Sequence, residues 1–205
     1  MRDEIRETLG GNVRRVTGPA YTRLDVDERR RRLLETGAKV FTEHAYDEIS
    51  MAAVAREAGI SKGLLYHYFP SKRDFFVATL EAAASELAVL TETDRDAPPL
   101  QQLEKSLDAY LAWVDANAAS YRKLIESAAG SDDARSIVAR VRSETVARIL
   151  DALGNNNPGL RTALHGWLWS IDGATLDWLD HRDIPREELK ELLVASFASA
   201  LERNV

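Results

Sequence analysis

Two short stretches of helical periodicity, 51–58 and 62–68, meet at Gly59-Ile60-Ser61, and this joint constrains the chain more than any other feature. Helices of about two turns are not stable alone, so each must bury its apolar stripe against something larger. Met51, Val54, Ala55 and Ala58 mark that stripe on the first, and Ile60 and Leu65 are the pegs that fix the second against Val54 and Phe41. Gly59 supplies the left-handed position after a helix end, and Ser50 and Ser61 stand as N-caps. The supporting element is a longer helix from Asp27, its expected N-cap, to His44, with Leu33, Leu34, Val40 and Phe41 on its apolar side. After Pro70, Ser71-Lys72-Arg73-Asp74 has capping-box spacing and opens a fourth helix to about Leu90.

Strand-like alternation is absent throughout, and Ala, Leu, Glu and Arg fill the segments between breakers. Further helices are expected at about 100–128, 132–153, 160–180 and 185–203. Gly130-Ser131, the run Gly154-Asn155-Asn156-Asn157-Pro158-Gly159, and Pro185 separate them. The expected fold class is all-α: an N-terminal three-helix domain carrying the joint, then a helical C-terminal domain. The expected domains are an arm at 1–26, rich in arginine and broken by glycine, a domain at 27–87, and a domain at 88–205 after the linker Asp94 to Pro99.

With 205 residues, 45% of them hydrophobic, the chain can bury a real core, which excludes a disordered or collagen-like polypeptide. It has no cysteine, so thiolate metal sites and cysteine nucleophiles are excluded. Its first sixteen residues carry acids and no apolar block, unlike a secretory leader, and no run reaches the roughly 20 apolar residues that span a bilayer. A cytoplasmic protein without membrane contact is expected. The net charge of -6 falls entirely on residues 88–205, because residues 1–87 hold 14 basic and 14 acidic side chains. Such a protein repels nucleic acid on average, so any DNA contact needs a local basic patch.

The joint provides one. Two short helices after a longer one have the layout of a helix-turn-helix. The outer side of the second presents Lys62, Gly63, Leu64, Tyr66 and His67, and no acid occurs between Glu57 and Asp74, whereas Lys62, Lys72 and Arg73 are basic. The run Ile49-Ser50, then Val54-Ala55-Arg56-Glu57-Ala58-Gly59-Ile60-Ser61-Lys62-Gly63-Leu64-Leu65-Tyr66-His67-Tyr68-Phe69-Pro70-Ser71-Lys72, with Phe41 and Tyr46, resembles the DNA-binding domain of the TetR family of transcriptional regulators. The resemblance covers about residues 27–87. It implies that Lys62, Gly63 and Leu64 enter the major groove, and that Tyr66 and His67 meet phosphates or flanking bases. It also implies that Lys72 meets a backbone phosphate and that Ser50 and Ser61 cap helix ends facing phosphates. Two positions depart from the family pattern. Ala45 replaces the usual Gly after the first helix, so that turn must be made differently or under strain. Gly37 replaces a common Ala, at a helix-propensity cost of about 1 kcal/mol.

In the last two helices, Gly166, Ser170 and Gly173 form a small-residue stripe, and Leu189, Leu193 and Phe197 an apolar one. Mid-helix glycines point to a close helix–helix crossing, and the resemblance implies a homodimer built there on a palindromic double-stranded DNA operator. The same stripes could instead close a monomer core. Tyr110, Trp113, Trp169 and Asp172 are the candidates to line a pocket, between 100–128 and 160–180, for a small apolar or aromatic ligand.

No cofactor, no metal site and no catalytic residues are expected. Phosphate loops and nucleophile elbows are missing, and the four histidines lack ligand spacing. The function expected is therefore a sequence-specific DNA-binding regulator, a repressor released by a small molecule, with the helix at 71–90 as the lever. The alternatives are an all-helical ligand-binding protein and a regulator controlled by a partner protein without an inducer.

Overall fold

The computed structural model describes residues 23–202, and every element of two or more turns among them is an α-helix. The order is α1 (Arg23–Glu43), a 3-10 turn (Tyr46–Glu48), α2 (Met51–Glu57), α3 (Lys62–Tyr68), α4 (Lys72–Leu90), α5 (Pro99–Ala116), α6 (Ala118–Gly130), α7 (Asp132–Leu153), α8 (Pro158–His181) and α9 (Arg186–Glu202). The all-α expectation holds. The arm expected at 1–26 lies outside the described residues up to position 22. Arg23 already belongs to α1, so Asp27 sits within that helix instead of capping it.

The helix starts are set by side-chain caps. Ser50 Oγ accepts from the Ala52 N–H at 3.2 Å, Ser61 Oγ from Leu64 at 3.2 Å and Ser71 Oγ from Asp74 at 3.0 Å. At Ser71 the reciprocal half of the box differs from expectation. The Asp74 carboxylate accepts from the Ser71 hydroxyl at 2.7 Å, not from its backbone. The turn at Ala45 needs no glycine. Its φ is -68°, and its N–H donates to Glu48 Oε2 at 3.1 Å, so the 3-10 turn reverses the chain in ordinary backbone. Gly59, at φ 67°, does occupy the left-handed region.

Two apolar cores form. Leu33, Val40, Phe41, Ile49, Val54, Leu65, Phe69, Phe75 and Phe76 close the first, and Ala134 from α7 joins it. Gly37 has its reason here. A Cβ on it would lie 2.5 Å from Thr79 Oγ1 and 2.7 Å from Phe75 Cζ, so α1 and α4 approach as closely as they do only because position 37 is bare. The helix-propensity cost of this glycine is offset by that contact. The second core joins α5 to α9 through Leu107, Leu111, Val114, Val146, Leu160, Leu164, Trp167, Ile171 and Trp178.

Three C-terminal expectations are corrected. The helix expected at 100–128 is two helices, α5 and α6, broken at Asn117, whose Nδ2 donates to the Trp113 carbonyl at 2.8 Å. An Asn side chain that bonds its own backbone competes with the helix ladder. The break turns α6 onto α1, where Thr42 Oγ1 and Ser120 Oγ are 2.8 Å apart. Second, Leu189, Leu193 and Phe197 are buried inside the protomer, with Trp167 edge-on to Phe197 at 5.0 Å. Their spacing of four turns one face of α9 onto α8, so they pack within the protomer's own core, the alternative that the sequence left open. Third, α8 begins at Pro158, a residue placed in the preceding loop by the sequence. Asn157 caps it, with Oδ1 accepting from Gly159 N–H at 2.7 Å, and proline is favoured in a first helical turn.

Candidate nucleic-acid interface and C-terminal polar network

Leu65 is fully buried and Phe69 nearly so, and these two side chains bolt α3 to the first core. The opposite side of α3 is thereby turned outward. Lys62, Gly63, Tyr66 and His67 are exposed and Leu64 is half-buried. The Lys62 ammonium lies 5.7 Å from the Tyr66 ring centroid, and His67 stands edge-on to Tyr68 at 5.8 Å. Beyond the bare Gly63 there is open space, so a base edge can approach the α3 backbone directly. The sequence-derived residues of α3 thus form one continuous outward face.

Lys72, expected to meet a backbone phosphate, also has partners within the protomer. Its Nζ donates to the carbonyls of Tyr46 at 2.9 Å and Ile49 at 3.2 Å, and lies 4.5 Å from the Tyr46 ring centroid. It ties the start of α4 to the turn that precedes the Ser50 cap, which leaves one of its three N–H groups for another acceptor. Around it, Tyr46 packs edge-on to Phe76 at 5.1 Å. On α1, Arg31 and Arg32 are engaged by Glu28, and Arg30 sits 5.5 Å above the Phe69 ring. The arginine run is therefore largely committed to intramolecular partners.

In the C-terminal half, the four ligand candidates are not gathered around one cavity. Tyr110 and Asp172, both half-buried, share a polar chain bridged by the buried Tyr121. The Tyr121 hydroxyl donates to Asp172 Oδ1 at 2.8 Å, which leaves Tyr110 as the donor across the 2.7 Å phenol–phenol contact. Arg142 pairs with the other oxygen of Asp172, and its guanidinium lies 3.9 Å from the Trp169 ring centroid. Burial and the neighbouring Asp172 charge push both phenols well above the usual tyrosine range. Trp113 is elsewhere, donating from Nε1 to Glu86 on α4 at 3.3 Å, and Trp169 is 65% exposed. A groove of about 530 Å³ opens instead between α7 and α8, lined by Val146 and Leu150 and by the polar Asp151, Asn155, Arg161 and His165. None of the four candidates lines it.

Sequence reasoning missed Arg142 as a network member. It stands four residues before Val146 and eight before Leu150, on the inward register of α7, and a charge on that stripe was the available signal. No group of three or more metal-ligating side chains, and no helix long and apolar enough to cross a membrane, occurs among the described residues.

Comparison with known proteins agrees with this architecture. Residues 33–79 match the model of bacterial regulatory proteins of the tetR family, and residues 99–200 match the tetracyclin repressor-like C-terminal domain. A tetR-family transcriptional regulator from Streptomyces coelicolor is 32% identical, with a TM-score of 0.75, over 86% of this chain and 82% of its own. The chain belongs to the TetR family of DNA-binding transcriptional regulators. Among curated relatives, the transcriptional activator FasR of Mycolicibacterium smegmatis is 30% identical over 60% of this chain and 54% of its own length. The transcriptional repressor KstR of Mycobacterium tuberculosis is 36% identical over 37% and 36% respectively. The chain spans about half the length, or less, of these curated relatives.

Proposed function

We propose that the protein is a homodimeric, cytoplasmic repressor that binds a palindromic operator through α3 and is released by a small molecule held in the C-terminal domain. We assign it no catalytic activity. The outward face of α3 carries this reading, with Lys62, Gly63 and Leu64 at its leading end, flanked by Tyr66 and His67 and set beside the Ser50 and Ser61 caps and Lys72. Lys62 is the hydrogen-bond donor for a base, Leu64 suits a thymine methyl, and the remaining groups serve the backbone. Repression is the sign favoured, since a dimer seated on a promoter blocks it without any further contact surface.

Dimerisation is supported by the side of α8 and α9 turned away from the core. Gly166, Ser170 and Gly173 are exposed there, a Cβ on either glycine would meet nothing, and Trp169 and Leu192 project 65% and 57% exposed. Two mid-helix glycines with no close neighbour in their own protomer fit a crossing made with a second copy. For the ligand, Tyr110 and Asp172 are the two of the four candidates that lie together, and an apolar or aromatic molecule is placed against them beside the satisfied Arg142 pair, whereas Trp113 and Trp169 face elsewhere.

Selection of bound duplexes from a random-sequence pool tests the reading. The expected product is one palindrome whose half-sites lie about one helical turn apart, or a multiple of it. Lys62→Ala should then lose affinity and relax the half-site preference. A folded dimer that enriches no sequence, even after unfolding and refolding to strip a co-purified ligand, overturns the proposal.

A further inference from the structure

Arg73, the second residue of α4, donates from Nε and Nη2 to the two carboxylate oxygens of Asp133 at 2.6 and 2.7 Å. The partners belong to different halves of the molecule. Arg73 begins the helix that follows α3, whereas Asp133 lies in the first turn of α7. That helix reaches from one core to the other: Ala134 is in the N-terminal cluster, and Val146 and Leu150 are in the C-terminal one. Its 22 residues span about 33 Å. A shift of α7 against α4 therefore acts on this ion pair at the edge of the helix-turn-helix.

The Arg73 side chain remains 71% exposed despite its partner. It follows Lys72, whose ammonium holds the carbonyls just ahead of the α2 cap, and the Tyr46 ring feels the charges of both Arg73 and Asp133. A guanidinium in this position offers a phosphate the same two-pronged geometry that it now gives the carboxylate, and it cannot serve both at once. Protonation does not release it near neutral pH, because the adjacent guanidinium holds the Asp133 carboxyl below the usual carboxylate range. Release takes movement of α7 or a competing anion.

We infer that Arg73 is a DNA-phosphate contact held in reserve by Asp133, so that the position of α7 sets how many cations the helix-turn-helix domain offers to DNA. The inference rests on the assignment of α3 as the DNA-reading face. It gives the C-terminal domain a second way to change DNA affinity, by local charge, alongside any change in the spacing of the two recognition helices.

The test uses the full chain and a fluorescent random-sequence duplex, since phosphate contacts do not depend on sequence. Asp133→Asn should bind about threefold more tightly, with a plot of log affinity against log salt steeper by about 1. Arg73→Ala and the double variant Arg73→Ala/Asp133→Asn should bind alike. Circular dichroism melting of Asp133→Asn checks that the fold is intact, and little change is expected for a pair whose guanidinium is this exposed. If Asp133→Asn binds like the parent protein, the reserve contact does not exist. If it tightens binding equally with and without Arg73, the gain is a general loss of negative charge and the inference falls. Lys62→Ala, measured on the palindrome recovered by selection because its proposed contact is to a base, separates the two levels. A parent protein indifferent to that change overturns the α3 assignment, whereas a Lys62 effect without an Asp133 effect overturns the reserve contact alone.

Discussion

The two cores of this protein are held by different physics. Around Phe75 the N-terminal core is aromatic and apolar, with rings of Phe41, Phe69 and Phe76 packed around it and one buried hydroxyl, Thr79, satisfied by its own helix. The C-terminal core carries a charged pair and two phenols along one part-buried edge, drawn from four helices. An aromatic core tolerates few changes of volume but is indifferent to pH. A polar chain is the reverse, since each of its members stays buried only while its partner remains. The difference suits the proposed function, in which one domain presents a rigid face and the other rearranges.

The contrast can be broken most severely at Arg142. Arg142→Ala leaves Asp172 largely buried without its cation, and a loss of about 3–5 kcal/mol is expected in denaturant unfolding. Replacing both partners by apolar residues, Arg142→Met with Asp172→Leu, should recover most of that loss. Failure of the pair to recover would mean that Tyr121 depends on Asp172 as strongly as Arg142 does. In the aromatic core the matching experiment is Gly37→Ala. There the new methyl meets Thr79 and Phe75, and overpacking should cost about 1–3 kcal/mol, visible as a lowered melting temperature.

Alkaline titration sharpens the comparison without mutation. Both phenols are harder to ionise in the folded protein than in the unfolded chain, so folding favours their protonated forms. Their contribution is complete below about pH 10 and falls as pH rises above it, by roughly 1.4 kcal/mol per pH unit for each phenol. Tyr110→Phe should flatten that decline, and an unchanged pH profile would remove the phenols from the account. The smallest effect is expected at the exposed Lys39–Glu57 pair, where Lys39→Ala should change the melting temperature hardly at all.

The same contrast explains what could be read from the sequence. Helices α2 and α3 and the start of α4 were legible almost to the residue, because caps, Gly59 and Pro70 are local signals. The outward face of α3 was legible for the same reason. The bond from Lys72 to the Tyr46 and Ile49 carbonyls was not, since it joins residues more than twenty positions apart. In α9 the apolar spacing was read correctly but assigned to a second copy, because a helical stripe looks the same whichever surface covers it. Trp169 shows the converse: an aromatic residue beside polar ones reads as pocket, yet this one stacks under Arg142 at the surface. The helix break at Asn117 has no glycine or proline to announce it.

The membership of Ala134 in the N-terminal core sets a condition on how the chain is made. A ribosome that has released α1 to α4 has not yet supplied every wall of the first core, because one of them arrives with the opening turn of α7. The segment proposed to read DNA is thus finished only after a good part of the C-terminal half has emerged. Completion of the first core during synthesis is tied to the presence of the second half of the chain.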